Sequence, residues 1–190
     1  MKHKLAHLNP GCIYHIYNRA IGSEKLFLNN ENYSFFLKRY RHFISPVAET
    51  FCYCLMPNHF HFLVRIKSDN ELVEYFGDKA LGFEDDKAFP KFETLKDKDL
   101  TGFGNLSGLV SKQFSNLFNS YTKAFNKINN RKGGLFMRPF NRLKVTEDQY
   151  LVKLVHYIHY NPVEAGLYDK PENGNSPPTL PSSGTPKQIY

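Results

Sequence analysis

The chain has 190 residues and a formal net charge of +7, with 41% apolar and 15% aromatic residues. This length supports one domain with a full core and is short for two, and no apolar run reaches the roughly 18 residues that a membrane-spanning helix needs. The start, Met1 to His7, lacks the apolar stretch of a secretory leader, and three cysteines (Cys12, Cys52, Cys54) argue against a disulfide framework and for a reducing cytoplasm.

After the Pro10-Gly11 break, Cys12 to Arg19 is rich in β-branched and aromatic residues and reads as a first strand with His15, Tyr17 and Arg19 on one face. From Asn30 to Ile44, Tyr33, Phe36, Leu37, Tyr40 and Ile44 recur at helical spacing, with Asn30 as N-cap and Pro46 closing the segment. Glu49 to Met56 reads as a second strand, and the Pro57-Asn58 turn leads at once into His59-Phe-His-Phe-Leu-Val-Arg65, so the two strands form a hairpin. Period-2 alternation places His59 and His61 on one face and Phe60, Phe62, Val64 and Ile66 on the other. Two imidazoles on one face suit a shared metal ion; alternatively, both are hydrogen-bonded structural histidines.

Glu71 to Phe76 reads as a short helix, and residues 77–104 as an acidic insertion or long loop punctuated by glycines. Near Ser107 order returns: Val110, Phe114, Leu117, Phe118, Tyr121, Ala124, Phe125 and Ile128 form the apolar stripe of a long helix, closed by Arg131-Lys-Gly-Gly134. A strand follows from Phe140 to Val145. Thr146-Glu-Asp-Gln149 is a capping box for a last helix through Leu151, Leu154, Val155 and Ile158, which Asn161-Pro162 is expected to stop. From Pro171 the composition is that of a tail without fixed structure, leaving one domain over residues 1–170 and a tail over 171–190.

Strand, helix, strand, strand, helix, strand is the order of a ferredoxin-like α+β fold, an antiparallel sheet with two helices on one face and here an added C-terminal helix. The charge is uneven along it. Between Asn105 and Val145 stand Lys112, Lys123, Lys127, Arg131, Lys132, Arg138, Arg142 and Lys144 without one Asp or Glu, the footprint of a phosphate-backbone binder or simply of a solvated basic face.

Several motifs in order carry a resemblance. Tyr14-His15-Ile16, Met56-Pro-Asn-His-Phe-His-Phe-Leu-Val64, Ser120-Tyr-Thr-Lys-Ala-Phe-Asn126, Gly134-Leu-Phe-Met137 with Phe140, and Tyr157-Ile-His-Tyr-Asn-Pro-Val-Glu-Ala-Gly-Leu167 together resemble the IS200-type single-tyrosine transposases, in particular the REP-associated tyrosine transposase branch, over residues 10–168 apart from 77–104. The resemblance implies a histidine-hydrophobic-histidine nuclease that cuts and rejoins single-stranded, hairpin or repeat DNA through a 5′-phosphotyrosine, with a divalent metal, Mg or Mn, as cofactor. It assigns His59 and His61 as metal ligands and Tyr121 as nucleophile, and it allows a homodimer as well as a monomer.

Lys123, Lys127, Arg131, Lys132, Arg138 and Arg142 are then the candidates for holding the DNA backbone. In these enzymes a polar residue one turn after the tyrosine completes the metal site, but Phe125 occupies that position here. Asn126 is the next candidate, although it lies ~140° around the helix from Tyr121; His15 or water are alternatives. Tyr14, Tyr17, Tyr157 and Tyr160 read as packing or base-stacking residues, and Asn161 as a helix cap. The rival reading keeps the fold and the basic surface without the chemistry, as a DNA- or RNA-binding module with structural histidines.

Overall fold

The structure, a computed structural model, describes residues 6–82 and 103–164. Its elements follow chain order as β1 (Ile13–Arg19), α1 (Asn30–Phe43), β2 (Ala48–Met56), β3 (His59–Ile66), α2 (Asp69–Gly82), α3 (Phe103–Ile128), β4 (Asn141–Val145) and α4 (Asp148–Glu164). The expected tail over 171–190 and most of the expected insertion lie outside the described residues.

Helix boundaries differ from expectation where side chains cap the backbone. Asn29, not Asn30, is the N-cap of α1: its backbone is extended and its side chain accepts from the Asn32 N–H at 3.0 Å. The expected short helix from Glu71 to Phe76 is longer, Asp69–Gly82, and Ser68 and Glu71 cap its start reciprocally. The Glu71 carboxylate takes the Ser68 N–H at 3.0 Å, and the Ser68 hydroxyl faces the Glu71 N–H. At the end of α3, Asn130 adopts a positive φ of 48°, and the Arg131 N–H returns to the Asn126 carbonyl at 2.9 Å, a left-handed termination that starts before the expected glycines. Pro162 does not stop α4, which continues to Glu164. A proline this close to a helix end costs few of the hydrogen bonds it would break in the interior.

The sheet runs β2-β3-β1-β4 with every neighbour antiparallel, the ferredoxin-like order, and the histidine strand β3 is internal. One face of the sheet carries Tyr14, Ile16, Phe60, Phe62, Val64 and Ile66 into the main core, where Tyr33, Phe36 and Tyr40 of α1 and Phe114, Leu117, Phe118 and Tyr121 of α3 meet them. The other face is also covered. Cys52, Cys54 and Met56 of β2, Leu63 of β3 and Val145 of β4 pack under Leu154 and Ile158 of α4 as a separate cluster. The C-terminal helix thus adds a third layer, on the face that carries the histidines.

Candidate active site

Strand alternation delivers the histidines to the α4 side, and register sets their neighbours. Tyr17 lies opposite His61 and Arg19 opposite His59 on β1, with Cys54 and Met56 opposite the same pair on β2. His15, two residues before Tyr17, shares their face. His61 is 7% exposed and His15 5%, and a hydrogen bond of 2.9 Å joins His15 Nε2 to His61 Nδ1. Their rings stack at 5.1 Å between centroids, while Tyr17 stacks on His15 at 4.8 Å. His59 stands edge-on to His61 at 5.1 Å, and its Nδ1 meets the Asn58 Oδ1 at 2.7 Å.

Burial decides the protonation of this cluster. It pushes His61 down to about 3, with His15 and His59 adding to the effect, and His15 down to about 4. His59 is lowered chiefly by burial; the Asn161 side chain opposes the shift through a hydrogen bond and Arg19 reinforces it by charge. At neutral pH the buried pair is therefore uncharged, which is the state in which an imidazole ligates a metal. His61 Nε2 and His15 Nδ1 are buried without a hydrogen-bond partner. A buried polar atom left open is costly unless something binds it. The cysteines play no such part, since burial raises Cys52 to about 11 and Cys54 to about 12 and keeps both as thiols.

Helix α4 brings two further polar groups to the histidines. Asn161, 9% exposed, lies beside His59, and the Tyr157 ring stands edge-on to His61 at 5.4 Å while remaining 44% exposed. They are four residues apart, one helical turn, and so project to the same side. From sequence alone Asn161 reads as a helix cap and Tyr157 as a packing or base-stacking residue. In the sequence they stand as a tyrosine followed four residues later by a polar side chain, a spacing that Tyr121, with Phe125 four residues on, lacks.

Tyr121 and Asn126 are elsewhere. Tyr121 is 1% exposed in the main core, among Phe27, Phe36, Phe125 and Phe136, and its hydroxyl donates to the Leu26 carbonyl at 2.5 Å. Burial pushes its pKa far above the ordinary phenol value, away from a nucleophilic phenolate. The sheet stands between it and the histidines. Asn126 braces the end of α3: its amide donates to the Gly133 carbonyl and its oxygen accepts from Arg131, both at 2.9 Å. The structure brings neither residue to His59 and His61. Among the described residues no group of three or more His, Cys, Asp or Glu side chains could hold a metal. A histidine pair completed by an amide, as His59, His61 and Asn161 would be, lies outside that donor set, and the open His61 Nε2 and the neutral imidazoles fit a divalent cation.

The basic residues divide by what already engages them. Arg131 is tied to Glu24, Asn126 and the Gly134 carbonyl, and Arg142 to the Ser111 hydroxyl at 2.6 Å and the Phe140 ring. Arg138 reaches Asn119 at 3.2 Å and, with Arg142, Asn18 and Thr122, lines a groove of about 500 Å³ beside α3. Lys123, Lys127 and Lys132 are exposed. Arg19, which strand alternation places on the face of His15 and Tyr17, is exposed next to His59.

No family model matches the sequence, and no curated protein matches it. Among solved structures the fold is similar to that of a REP-associated tyrosine transposase bound to a REP hairpin, with a TM-score of 0.54 and 13% identity over 89% of this chain and 77% of that one. At that identity the likeness is one of fold.

Proposed function

We propose that the protein is a metal-dependent single-stranded DNA endonuclease and strand transferase with Tyr157, rather than Tyr121, as its nucleophile. The observation that carries this reading is the position of α4, which sets Tyr157 against His61 and Asn161 against His59 on one face of the sheet. The DNA-hairpin complex of the similarly folded transposase supports DNA as the partner. His59, His61 and Asn161 would hold a divalent cation, Mg or Mn. Bound there, it would neutralise phosphate charge and stabilise the leaving oxygen.

The chain's own groups supply the rest. Tyr157 is solvent-accessible, so its phenol can lose its proton to water as its oxygen bonds to phosphorus. The bond from phosphorus to the 3′ oxygen breaks, and that oxygen leaves as a 3′-hydroxyl, with the 5′-phosphate held on tyrosine. The ester conserves the bond, so attack by another 3′-hydroxyl reseals the strand and returns the phenol. Arg19 is placed to hold a phosphate at the histidine end of the site. All these residues belong to one chain, so this arrangement needs no partner subunit.

The test is a 3′-labelled hairpin oligonucleotide incubated with Mn²⁺, followed by mapping of any covalent adduct. An adduct at Tyr157 that survives Tyr121→Phe is the expected result. Metal-independent binding without an adduct would favour the non-catalytic nucleic-acid-binding module instead.

A further inference from the structure

We infer that His15 is a positioning residue for the site, the acceptor that fixes which nitrogen of His61 faces a bound cation. The inference rests on the metal reading above and goes beyond it, because it assigns the role of a residue outside the ligand set. The two histidines of β3 are held in matching ways. Asn58 Oδ1 lies 2.7 Å from His59 Nδ1, and His15 Nε2 lies 2.9 Å from His61 Nδ1. An amide oxygen only accepts, so His59 carries its proton on Nδ1 and keeps an Nε2 lone pair.

For His61 the partner is another imidazole, and two tautomers satisfy the bond. If His15 donates, a neutral His61 is protonated on Nε2 and has no lone pair there. If His61 donates through Nδ1–H, its buried, unpartnered Nε2 keeps its lone pair, and His15 carries its own proton on Nδ1. Only the second arrangement lets both histidines present Nε2. Residues that accept from the remote ring nitrogen of a ligating histidine orient the ring and raise its basicity, and losing one weakens metal affinity by about 10- to 100-fold.

The position of His15 is itself well defined. It is 5% exposed, paired with Leu63 across the β1–β3 ladder and with Leu143 across β1–β4, and stacked on Tyr17. With Nε2 accepting from His61, a neutral His15 carries its proton on Nδ1, so in this arrangement it is not the third ligand that its place on the first strand suggests. Its role is to accept.

The experiment measures Mn²⁺ affinity of the full chain without DNA, by calorimetry or by the paramagnetic resonance of free Mn²⁺. His15→Leu, which fills the buried position without an acceptor, is expected to bind at least tenfold more weakly than wild type. His15→Gln, whose side-chain oxygen can accept from Nδ1–H, should recover most of the loss; a merely space-filling role would leave both variants alike. Nitrogen-detected NMR of the wild-type chain loaded with Zn²⁺ as a diamagnetic probe reads the tautomer directly, independently of whether a variant folds. His61 protonated on Nδ1 and bonded to His15 is expected, and His61 protonated on Nε2 would overturn the inference. Wild-type binding of Mn²⁺ matched within threefold by His15→Leu would also overturn it while leaving the metal reading standing. No Mn²⁺ binding by wild type would remove both.

Discussion

Tyr121 and Tyr157 show how environment separates two chemically identical side chains. The Tyr121 hydroxyl is enclosed and satisfied by one carbonyl, so Tyr121→Phe removes a buried hydrogen bond and should lower stability by about 1 kcal/mol in denaturant titrations while leaving any DNA cleavage intact. Tyr157 is half-exposed and packs through its ring, so Tyr157→Phe should hardly change stability yet abolish the covalent adduct. The buried histidines give a pH signature. Because His15 and His61 titrate near 4 and 3 in the folded chain and near 6.5 unfolded, the unfolded state binds more protons below pH 6.5. Their contribution to stability is complete above that pH and declines as pH falls toward 4. Urea midpoints of the metal-free chain should therefore drop between pH 6.5 and 4, and a His15→Gln/His61→Gln double variant should flatten that decline; an equally steep decline in the double variant would contradict the assignment.

Elements with one-sided patterns were the ones legible in the sequence. The alternation of Phe60, Phe62 and Val64 and the stripe from Val110 to Ile128 follow directly from strand and helix periods, and the structure has both. The stripe also argued against Tyr121, since a residue inside it points to the core. What periodicity could not convey was where α4 docks. The receiving face of Cys52, Cys54, Met56, His15 and His61 mixes small, soft and polar side chains, and such a face does not by itself announce a covering helix. Tyr157 and Asn161 flank the α4 stripe and gain meaning only once Leu154 and Ile158 are seated on the sheet. Ile158 is fully buried there, so Ile158→Ala should cost about 2–4 kcal/mol. Because this cluster is separate from the main core, the loss should appear as faster hydrogen exchange in α4 with β1 and β3 still protected. Cleavage should fall with it, although every proposed site residue is intact. Uniform loss of protection across the sheet would show instead that α4 and the core unfold together.

At the scale of the molecule, the exposed lysines of α3 and the proposed site lie on opposite sides of the sheet. Lys123 and Lys127 project from α3, which packs on the Phe60 face, whereas Tyr157 and Arg19 serve the histidine face. A short single strand seated at Tyr157 cannot also contact the α3 lysines through the sheet; a folded hairpin that continues around the β4 edge can. The two substrates should therefore respond differently to charge removal. Each phosphate contact to a single strand contributes about 0.7 to the slope of log affinity against log salt, and contacts to duplex about 0.9. Lys123→Gln/Lys127→Gln/Lys132→Gln should accordingly reduce the slope by about 2 to 3 for a hairpin and leave that for a six-nucleotide strand unchanged. Arg131→Gln provides the contrast, since that guanidinium already holds Glu24 and the Gly134 carbonyl, and its loss should lower stability more than the salt slope. Equal reductions for hairpin and short strand would place the lysines on the same DNA segment as Tyr157, and with that outcome the path around the sheet edge fails.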